Sequence, residues 1–146
     1  MRPAIFSPST VSATASSHEV MRASSMTRTV LIVEDTEPTR DMLEMALMQL
    51  PDVVIHSVGT AEEALICLAA HDISAMVTDL NLPRMDGFQL IETVRAGSNM
   101  PIMVISGDND PRTLERLVTL GASAYFRKPC SPSQVRQRLE ELIDVP

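Results

Sequence analysis

The fold of this 146-residue chain is decided by Ile73-Ser-Ala-Met-Val-Thr-Asp79 and the segment after it, Leu80-Asn-Leu-Pro-Arg-Met-Asp-Gly87. The apolar run predicts a buried β-strand, and the proline and glycine that follow predict a loop. Parallel sheets bind their ligands in the crevice beyond the carboxyl ends of their strands. We therefore expect the Asp79 carboxylate to lie at such an edge and to act there.

Strand-like and helix-like segments alternate from residue 29 onward. Apolar residues, many of them Val and Ile, dominate five strand-like runs, which span residues 29–34, 53–58, 73–79, 101–106 and 124–128. A helix-like pattern follows each run, so five strands and five helices are expected in strict alternation. This order predicts an α/β fold with a five-stranded parallel sheet covered by helices on both faces.

Residues with known preferences for helix ends mark several boundaries. Thr60 and Glu63 form a capping-box sequence, whose hydroxyl and carboxylate satisfy amides of the first turn. Asp110 and Ser131 each precede a proline, which predicts an N-cap followed by proline at the first helical position. Gly121 follows an apolar helical pattern and predicts the end of that helix.

The net charge of −7 is concentrated in the acidic residues after position 28. Because an acidic surface repels phosphates, direct binding of nucleic acid is not expected. No apolar stretch approaches the roughly 18 residues that a membrane span needs, so we expect a cytoplasmic protein without a membrane segment. Cys67 and Cys130 have no metal-ligand or redox spacing, and they predict two reduced thiols.

Residues 1–28 predict a disordered N-terminal tail, and residues 29–146 predict the folded domain. The tail is rich in Ser, Thr, Ala and Pro and lacks sustained apolar periodicity. It has no apolar core of the kind that a secretory signal requires. Translation from Met21 or Met26 is one alternative, and a weak resemblance to an organelle transit peptide is another.

Complementary polar residues stand at the ends of four predicted strands. Right-handed crossovers bring strand carboxyl ends to one edge, so Glu34-Asp35, Asp79, Ser106 and Lys128 are expected to meet there. Clustered carboxylates with room for water suit Mg²⁺. The metal ion and the Lys128 ammonium together could offset the charge of a phosphoryl group that is transferred to a carboxylate. Singly, such an acid is often a helix cap and a lysine is usually solvated. Together they predict a Mg²⁺-dependent phosphoacceptor site.

Four motifs together resemble the receiver (CheY-like) domain of two-component response regulators. They are Val33-Glu-Asp35, Thr78-Asp-Leu-Asn-Leu-Pro-Arg-Met-Asp-Gly87, Val104-Ile-Ser-Gly107 and Gly121-Ala-Ser-Ala-Tyr-Phe-Arg-Lys-Pro129. The order and structural context of the motifs make the set specific, and the resemblance covers residues 29–146. It implies a flavodoxin-like doubly wound (βα)5 fold with strand order 2-1-3-4-5.

The resemblance implies that Asp79 is the phosphoacceptor and that Mg²⁺ is the cofactor. Asp35, Asp79 and the backbone carbonyl of Asn81 are expected to ligate the ion directly, and Glu34 is expected to act through a metal-bound water. Asn81 and Asp108 match positions that flank the hydrolytic water in the family. This polar and acidic pair predicts a short-lived phosphoryl group.

The resemblance also implies a switch. Lys128 is expected to contact the phosphoryl oxygens, and Ser106 to move toward them once the acceptor is modified. Tyr125 matches the aromatic residue that turns inward in response, and the bond between Lys128 and Pro129 is expected to be cis. Ser106 replaces the usual Thr, and Cys130 stands where a larger residue is frequent, which leaves the packing near Lys128 open.

The partners implied are a histidine kinase or a histidine phosphotransfer protein as donor. None of the three histidines lies in a phosphodonor helix pattern, so the group is expected to arrive from another protein. The chain ends at Pro146 after the fifth helix, which predicts a stand-alone receiver. Its output is expected to pass through protein contact on the face formed by helix 4, strand 5 and helix 5.

Two other functions fit the same architecture. A pseudo-receiver would be an interaction module that is not phosphorylated, although the full set of acids, hydroxyl and lysine argues against it. An enzyme such as a flavin carrier or an aspartate-dependent phosphatase is less compatible. The acids at Glu34-Asp35 would repel a flavin phosphate, and Asn81 stands where such a phosphatase needs a second aspartate.

Overall fold

A five-stranded parallel sheet forms the centre of the protein, whose computed structural model describes residues 27–144. The strands are β1 (Arg28–Val33), β2 (Val53–Val58), β3 (Ala75–Thr78), β4 (Ile102–Ser106) and β5 (Ala124–Arg127). The helices between and after them are α1 (Glu37–Leu47), α2 (Ala61–Ala70), α3 (Gly87–Arg95), α4 (Pro111–Leu120) and α5 (Pro132–Ile143). The strand order is β2-β1-β3-β4-β5, so the predicted flavodoxin-like topology is confirmed.

β2 has the predicted bounds, and the other four strands differ from the predicted runs by one or two residues at an end. β1 begins at Arg28 rather than at residue 29, because the Arg28 amide donates to the carbonyl of Asp52 at 2.9 Å. β3 is shorter than the predicted run 73–79, although the Ser74 amide still donates to the carbonyl of Thr29 at 2.7 Å. The predicted tail 1–28 lies outside the described residues except for its last two positions.

The helix ends follow the predicted residues, with one correction. Asp110 and Ser131 cap α4 and α5 through their side chains, and Gly121 ends α4 with a φ of 90°. The Thr60 hydroxyl accepts from the Glu63 amide at 3.0 Å, but the Glu63 carboxylate accepts from the amide of Gly59, not that of Thr60. The expected reciprocal capping box at α2 is therefore only half formed.

Successive residues of the central strands face opposite sides of the sheet, and both sides are buried. Leu31 and Val33 of β1 pack toward the side covered by α2, α3 and α4. Val30 and Ile32 pack toward α1 and α5. Full burial of each such side chain contributes about 1.5–3 kcal/mol to the stability of the fold. The strands that end at the carboxyl edge are therefore held in place by the core on both faces of the sheet.

None of the helices within residues 27–144 is long and apolar enough to cross a membrane.

Candidate phosphoacceptor and metal site

The carboxyl edge of the sheet gathers the charged residues that follow β1, β3 and β5. Glu34 and Asp35 follow β1, Asp79 follows β3, and Lys128 follows β5. The Glu34 amide donates to the carbonyl of Val58, and the Asp79 amide donates to the carbonyl of Val33, both at 3.0 Å. The backbone pairing of the sheet thus continues one residue beyond β1 and β3, and it fixes the backbone positions of Glu34 and Asp79.

The Lys128 ammonium group joins two buried carboxylates. Lys128 Nζ donates to Glu34 Oε1 at 3.0 Å and to Asp79 Oδ2 at 2.9 Å. The side chain of Glu34 is 1% exposed and that of Asp79 is 5% exposed, whereas that of Lys128 is 25% exposed. Burial lowers the pKa of Lys128, but the hydrogen bonds and charges of Asp79 and Glu34 outweigh it and raise the pKa above its usual value. The lysine therefore carries its positive charge across the physiological pH range.

The other oxygen of Asp79 is held by the backbone of the loop that follows it. Asp79 Oδ1 accepts from the Leu80 amide at 2.6 Å and from the Asn81 amide at 3.2 Å. The carboxylate therefore cannot rotate without losing these bonds. This loop and Lys128 together fix which way the Asp79 side chain faces.

The two neighbouring acids after β1 have different surroundings. Glu34 is buried, and its Oε2 accepts from the Thr36 amide at 3.1 Å. Asp35 is exposed, and its Oδ1 accepts from the Thr36 hydroxyl at 3.4 Å. The Asp35 carboxylate is thus open to solvent, whereas the Glu34 carboxylate is enclosed by protein donors.

The residues of this edge fit a magnesium ion. One carboxylate oxygen each from Glu34, Asp35 and Asp79 lies within 4.8 Å of the other two. An open cleft of about 470 Å³ lies beside them, and Asp35, Asp79, Asn81 and Lys128 are among its lining residues. Mg²⁺ prefers oxygen ligands and keeps several of its waters, so a small set of carboxylates beside a wet cleft suits it.

The predicted switch residues form a chain of contacts at the end of β4. The Ser106 hydroxyl is buried and accepts from the Asp108 amide at 3.2 Å. The Tyr125 hydroxyl donates to the carbonyl of Asp108, also at 3.2 Å. Burial raises the pKa of Tyr125, so the phenol is a proton donor at neutral pH. Ser106 and Tyr125 are therefore linked through the backbone of one residue.

The remaining predicted residues are divided between two cavities. Asn81 is exposed and lines the cleft beside Asp79. The Asp108 carboxylate instead accepts from the Thr113 hydroxyl at 2.7 Å and lies beside a separate cavity of about 330 Å³. Cys130 is partly buried against the core on the α1 and α5 side, and the bond between Lys128 and Pro129 is cis, as the resemblance implied.

Gly87, which the sequence indicated only as part of a loop, is the first residue of α3 and packs against the site. A Cβ atom at Gly87 would lie 2.4 Å from the carbonyl oxygen of Asp79 and 2.6 Å from the Cα atom of Leu80. Only glycine permits this approach of α3 to the loop. Asp86 caps α3 in a full capping box with Gln89, so the sequence Asp-Gly after a Pro-containing loop was the available signal.

The doubly wound sheet and the charged residues at its carboxyl edge are features that one protein family shares with this chain. The family model of the response regulator receiver domain matches residues 30–140, and the chain belongs to this family. Domains of this family act in two-component signal transduction. They interact with histidine kinases or phosphotransfer proteins and with downstream targets.

Individual relatives agree with the family match. The two-component response regulator ORR13 of Oryza sativa subsp. japonica is 32% identical over 110 residues, which are 73% of this chain and 90% of the rice protein. The relative named "Probable transcriptional regulator ycf27" of Cyanidium caldarium is 31% identical over 117 residues, 78% of this chain. The match spans 45% of the length of that relative.

A solved structure confirms the fold. The chemotaxis response regulator CheY4 of Vibrio cholerae has a TM-score of 0.72 and 24% identity, over 80% of this chain and 98% of that chain.

Proposed function

We propose that the chain accepts a phosphoryl group on Asp79, with Mg²⁺ bound, from a phosphohistidine of a histidine kinase or phosphotransfer protein. We further propose that it is a single-domain regulator of the cytoplasm that signals through protein–protein contact. The observation that carries the proposal is the Lys128 ammonium, which lies 2.9 Å from Asp79 and 3.0 Å from Glu34. A buried carboxylate beside a fixed cation and an open cleft is equipped to act as a nucleophile toward a phosphoryl group.

In the proposed reaction, one Asp79 oxygen forms a bond to phosphorus while the phosphorus–nitrogen bond of the donor imidazole breaks. The electron pair of that bond returns to the imidazole nitrogen, and the product is an acyl phosphate. Lys128 already donates to Asp79 Oδ2, so a small movement of its ammonium would bring it to a phosphoryl oxygen. The loop amides that donate to Oδ1 hold the acid in place during the transfer.

The proposed metal ligands are Asp35, Asp79 and the backbone carbonyl of Asn81, with Glu34 acting through a water molecule. When bound, the ion would offset the negative charge of the acids and of the phosphoryl oxygens. The burial of Glu34 and its bonds to Lys128 and Thr36 support an indirect role for this acid. The exposure of Asp35 supports a direct one.

The proposed switch starts at Ser106. If the Ser106 hydroxyl moves toward a phosphoryl oxygen, it leaves the amide of Asp108, whose carbonyl is the acceptor of Tyr125. The rearrangement would thereby reach the face formed by α4, β5 and α5. Leu114 and Val118 of α4 are exposed apolar residues on this part of the surface, which supports its use as the output face.

The lifetime of the phosphoryl group is proposed to depend on Asn81 and Asp108. Asn81 lines the cleft beside Asp79, which supports contact with a hydrolytic water. Asp108 would have to leave the Thr113 hydroxyl before it could take part.

The proposal is tested by incubating the full chain with a small-molecule acyl phosphate and Mg²⁺ and measuring its intact mass. The wild type should gain one phosphoryl group, and Asp79→Asn should gain none. Asp41→Asn is the matched control and should be labelled like the wild type, because Asp41 is an exposed acid of α1 that neither belongs to the acidic cluster nor lines the cleft.

Two further arms separate the alternatives. Chelation of Mg²⁺ should stop the labelling of the wild type, because the acids then lack their counter-ion. A wild type that takes no label from either the small molecule or a phosphorylated histidine donor would be a pseudo-receiver. Label that persists in Asp79→Asn would place the acceptor elsewhere.

A further inference from the structure

A second group of side chains of metal-ligating types lies where α2 packs against the edge strand β2. His56 lies in β2, Cys67 lies in the last turns of α2, and His71 follows directly after α2. One imidazole nitrogen of each histidine and the Cys67 sulfur all lie within 4.8 Å of one another. The two imidazole rings are stacked, with centroids 4.4 Å apart and an interplanar angle of 26°.

Two imidazoles and one thiol are the ligands of a borderline-soft ion, not of magnesium. Zn²⁺ takes nitrogen ligands at about 2.0–2.1 Å and sulfur at about 2.3 Å in a tetrahedral arrangement. Such a geometry places neighbouring ligand atoms about 3.3–3.7 Å apart. The observed atoms therefore need to approach by about 1.5 Å at most. Because the rings are stacked, one of them must also turn about its side-chain bonds so that both nitrogen lone pairs face the same ion.

The backbone places Cys67 and His71 close together, and solvent reaches the group. Cys67 and His71 are separated by one helical turn, and the His71 amide donates to the carbonyl of Cys67 at 3.0 Å. His71 is exposed and His56 and Cys67 are partly buried, so an ion has a path of entry and a fourth position is left for water. Neither cysteine is engaged in a disulfide, so the thiol is free to bind.

We propose that His56, Cys67 and His71 form a binding site for a divalent ion of the zinc class. The bound ion would tie the edge strand β2 to the carboxyl end of α2. Because α2 begins at the phosphoacceptor edge and runs away from it, the site lies toward the opposite end of the sheet. Zinc binding at this site is therefore independent of Asp79 and does not rest on the proposed phosphorylation.

The test measures the binding of Zn²⁺ to the full chain in excess Mg²⁺, by competition with a chromogenic chelator. Magnesium in excess keeps the acidic edge from contributing to the signal. The wild type and Asp79→Asn should each bind one Zn²⁺ per chain. Cys67→Ser and His71→Gln should each bind at least about 100-fold more weakly, since each loses a ligand.

The matched control uses the other cysteine of the chain. Cys130→Ser should bind like the wild type, because Cys130 is not one of the three residues of the group. Co²⁺ in place of Zn²⁺ should give a thiolate-to-metal charge-transfer band in the wild type and in Cys130→Ser, but not in Cys67→Ser. Zn²⁺ should also raise the thermal midpoint of the wild type and leave that of Cys67→Ser unchanged.

Several results would overturn the proposal. They are wild-type affinity in Cys67→Ser, absence of the charge-transfer band in the wild type, and one ion per two chains, which would mean that the ligands come from two molecules. Since His71 is an exposed residue at a helix end, His71→Gln remains informative even if Cys67→Ser were to fold poorly.

Discussion

Within the described residues, two groups of three side chains have potential metal-ligand atoms within 4.8 Å of one another, and the two groups differ in chemistry and in place. Glu34, Asp35 and Asp79 offer only oxygen, whereas the group of His56, Cys67 and His71 offers nitrogen and sulfur. The acids follow buried strands at the carboxyl edge of the sheet. The histidines and the cysteine join the edge strand to the far end of α2.

The two groups differ in how their charge is balanced when no metal is bound. Two carboxylates about 4 Å apart repel by roughly 4 kcal/mol at an effective dielectric constant near 20. The fold relieves this repulsion with Lys128, whose ammonium contacts Glu34 and Asp79. The second group carries no charge while its imidazoles are neutral and its thiol is protonated. The acidic group therefore contains a like-charge repulsion that Lys128 offsets, and the second group has no such repulsion while it is uncharged.

Removal of Lys128 is the substitution expected to destabilise the protein most, because it acts on the acidic group alone. Lys128→Met leaves two buried acids without their cation, so we expect the metal-free protein to lose about 3 kcal/mol of its free energy of unfolding. This is the lower end of the usual range for breaking a buried pair, because a quarter of the Lys128 side chain is exposed. Urea unfolding in the presence of a chelator measures the loss.

A surface ion pair provides the control for this variant. Arg138 Nη1 lies 3.1 Å from Glu141 Oε1 on the exposed side of α5. Arg138→Met should cost less than about 1 kcal/mol, because exposed pairs contribute little. Equal losses in the two variants would mean that Lys128 has no special electrostatic role.

A steric change at Gly87 should disturb the acids and leave the second group untouched. Gly87→Ala puts a methyl group against the carbonyl of Asp79, so we expect a loss of about 2 kcal/mol in the free energy of unfolding. Gly87 is the first residue of α3, where alanine would otherwise be favoured, so a loss reports the clash. Gly97→Ala is the control, because a Cβ atom there meets nothing within 4 Å.

The outcome is read by denaturant unfolding and by zinc affinity on the same samples. Gly97→Ala should stay within about 0.5 kcal/mol of the wild type. Zinc affinity should be the same in both glycine variants. A stable Gly87→Ala protein would show that the loop after Asp79 has room to move.

The acidic edge could be predicted from the sequence because parallel topology converts a position at a strand end into a place in space. The apolar runs before Asp79 and Lys128 identified their strands, and the contact between the two side chains followed. The different fates of Glu34 and Asp35 could not be predicted in the same way. Both are acids after one strand, and the contact of Lys128 with Glu34 forms only when the distant strand β5 is brought to the same edge.

The second group was missed for a related reason. Cys67 and Cys130 have no metal-ligand spacing from each other, so the cysteines alone do not predict a site. His56, the neighbour of Cys67, comes from a different element, and the two meet only because α2 packs on the face of β2. The one local signal was the helical spacing of Cys67 and His71.

The smallest predicted effect concerns Asp108, an acid near the carboxyl edge that needs no lysine. The Asp110 amide and the Thr113 hydroxyl donate to its carboxylate and lower the pKa of Asp108 below its usual value. Ionised Asp108 thus stabilises the fold at every pH above the pKa that Asp108 has in the unfolded chain. This stabilisation is lost as the pH falls through the lower pKa that Asp108 has in the folded chain. In Thr113→Val, one donor is lost, so the pKa of Asp108 should rise toward its usual value in an NMR titration. Thr119→Val, whose hydroxyl donates to the carbonyl of Glu115, should leave it unchanged. An unchanged pKa in Thr113→Val would mean that the backbone alone holds the charge, and that even this acid owes nothing to its side-chain neighbour.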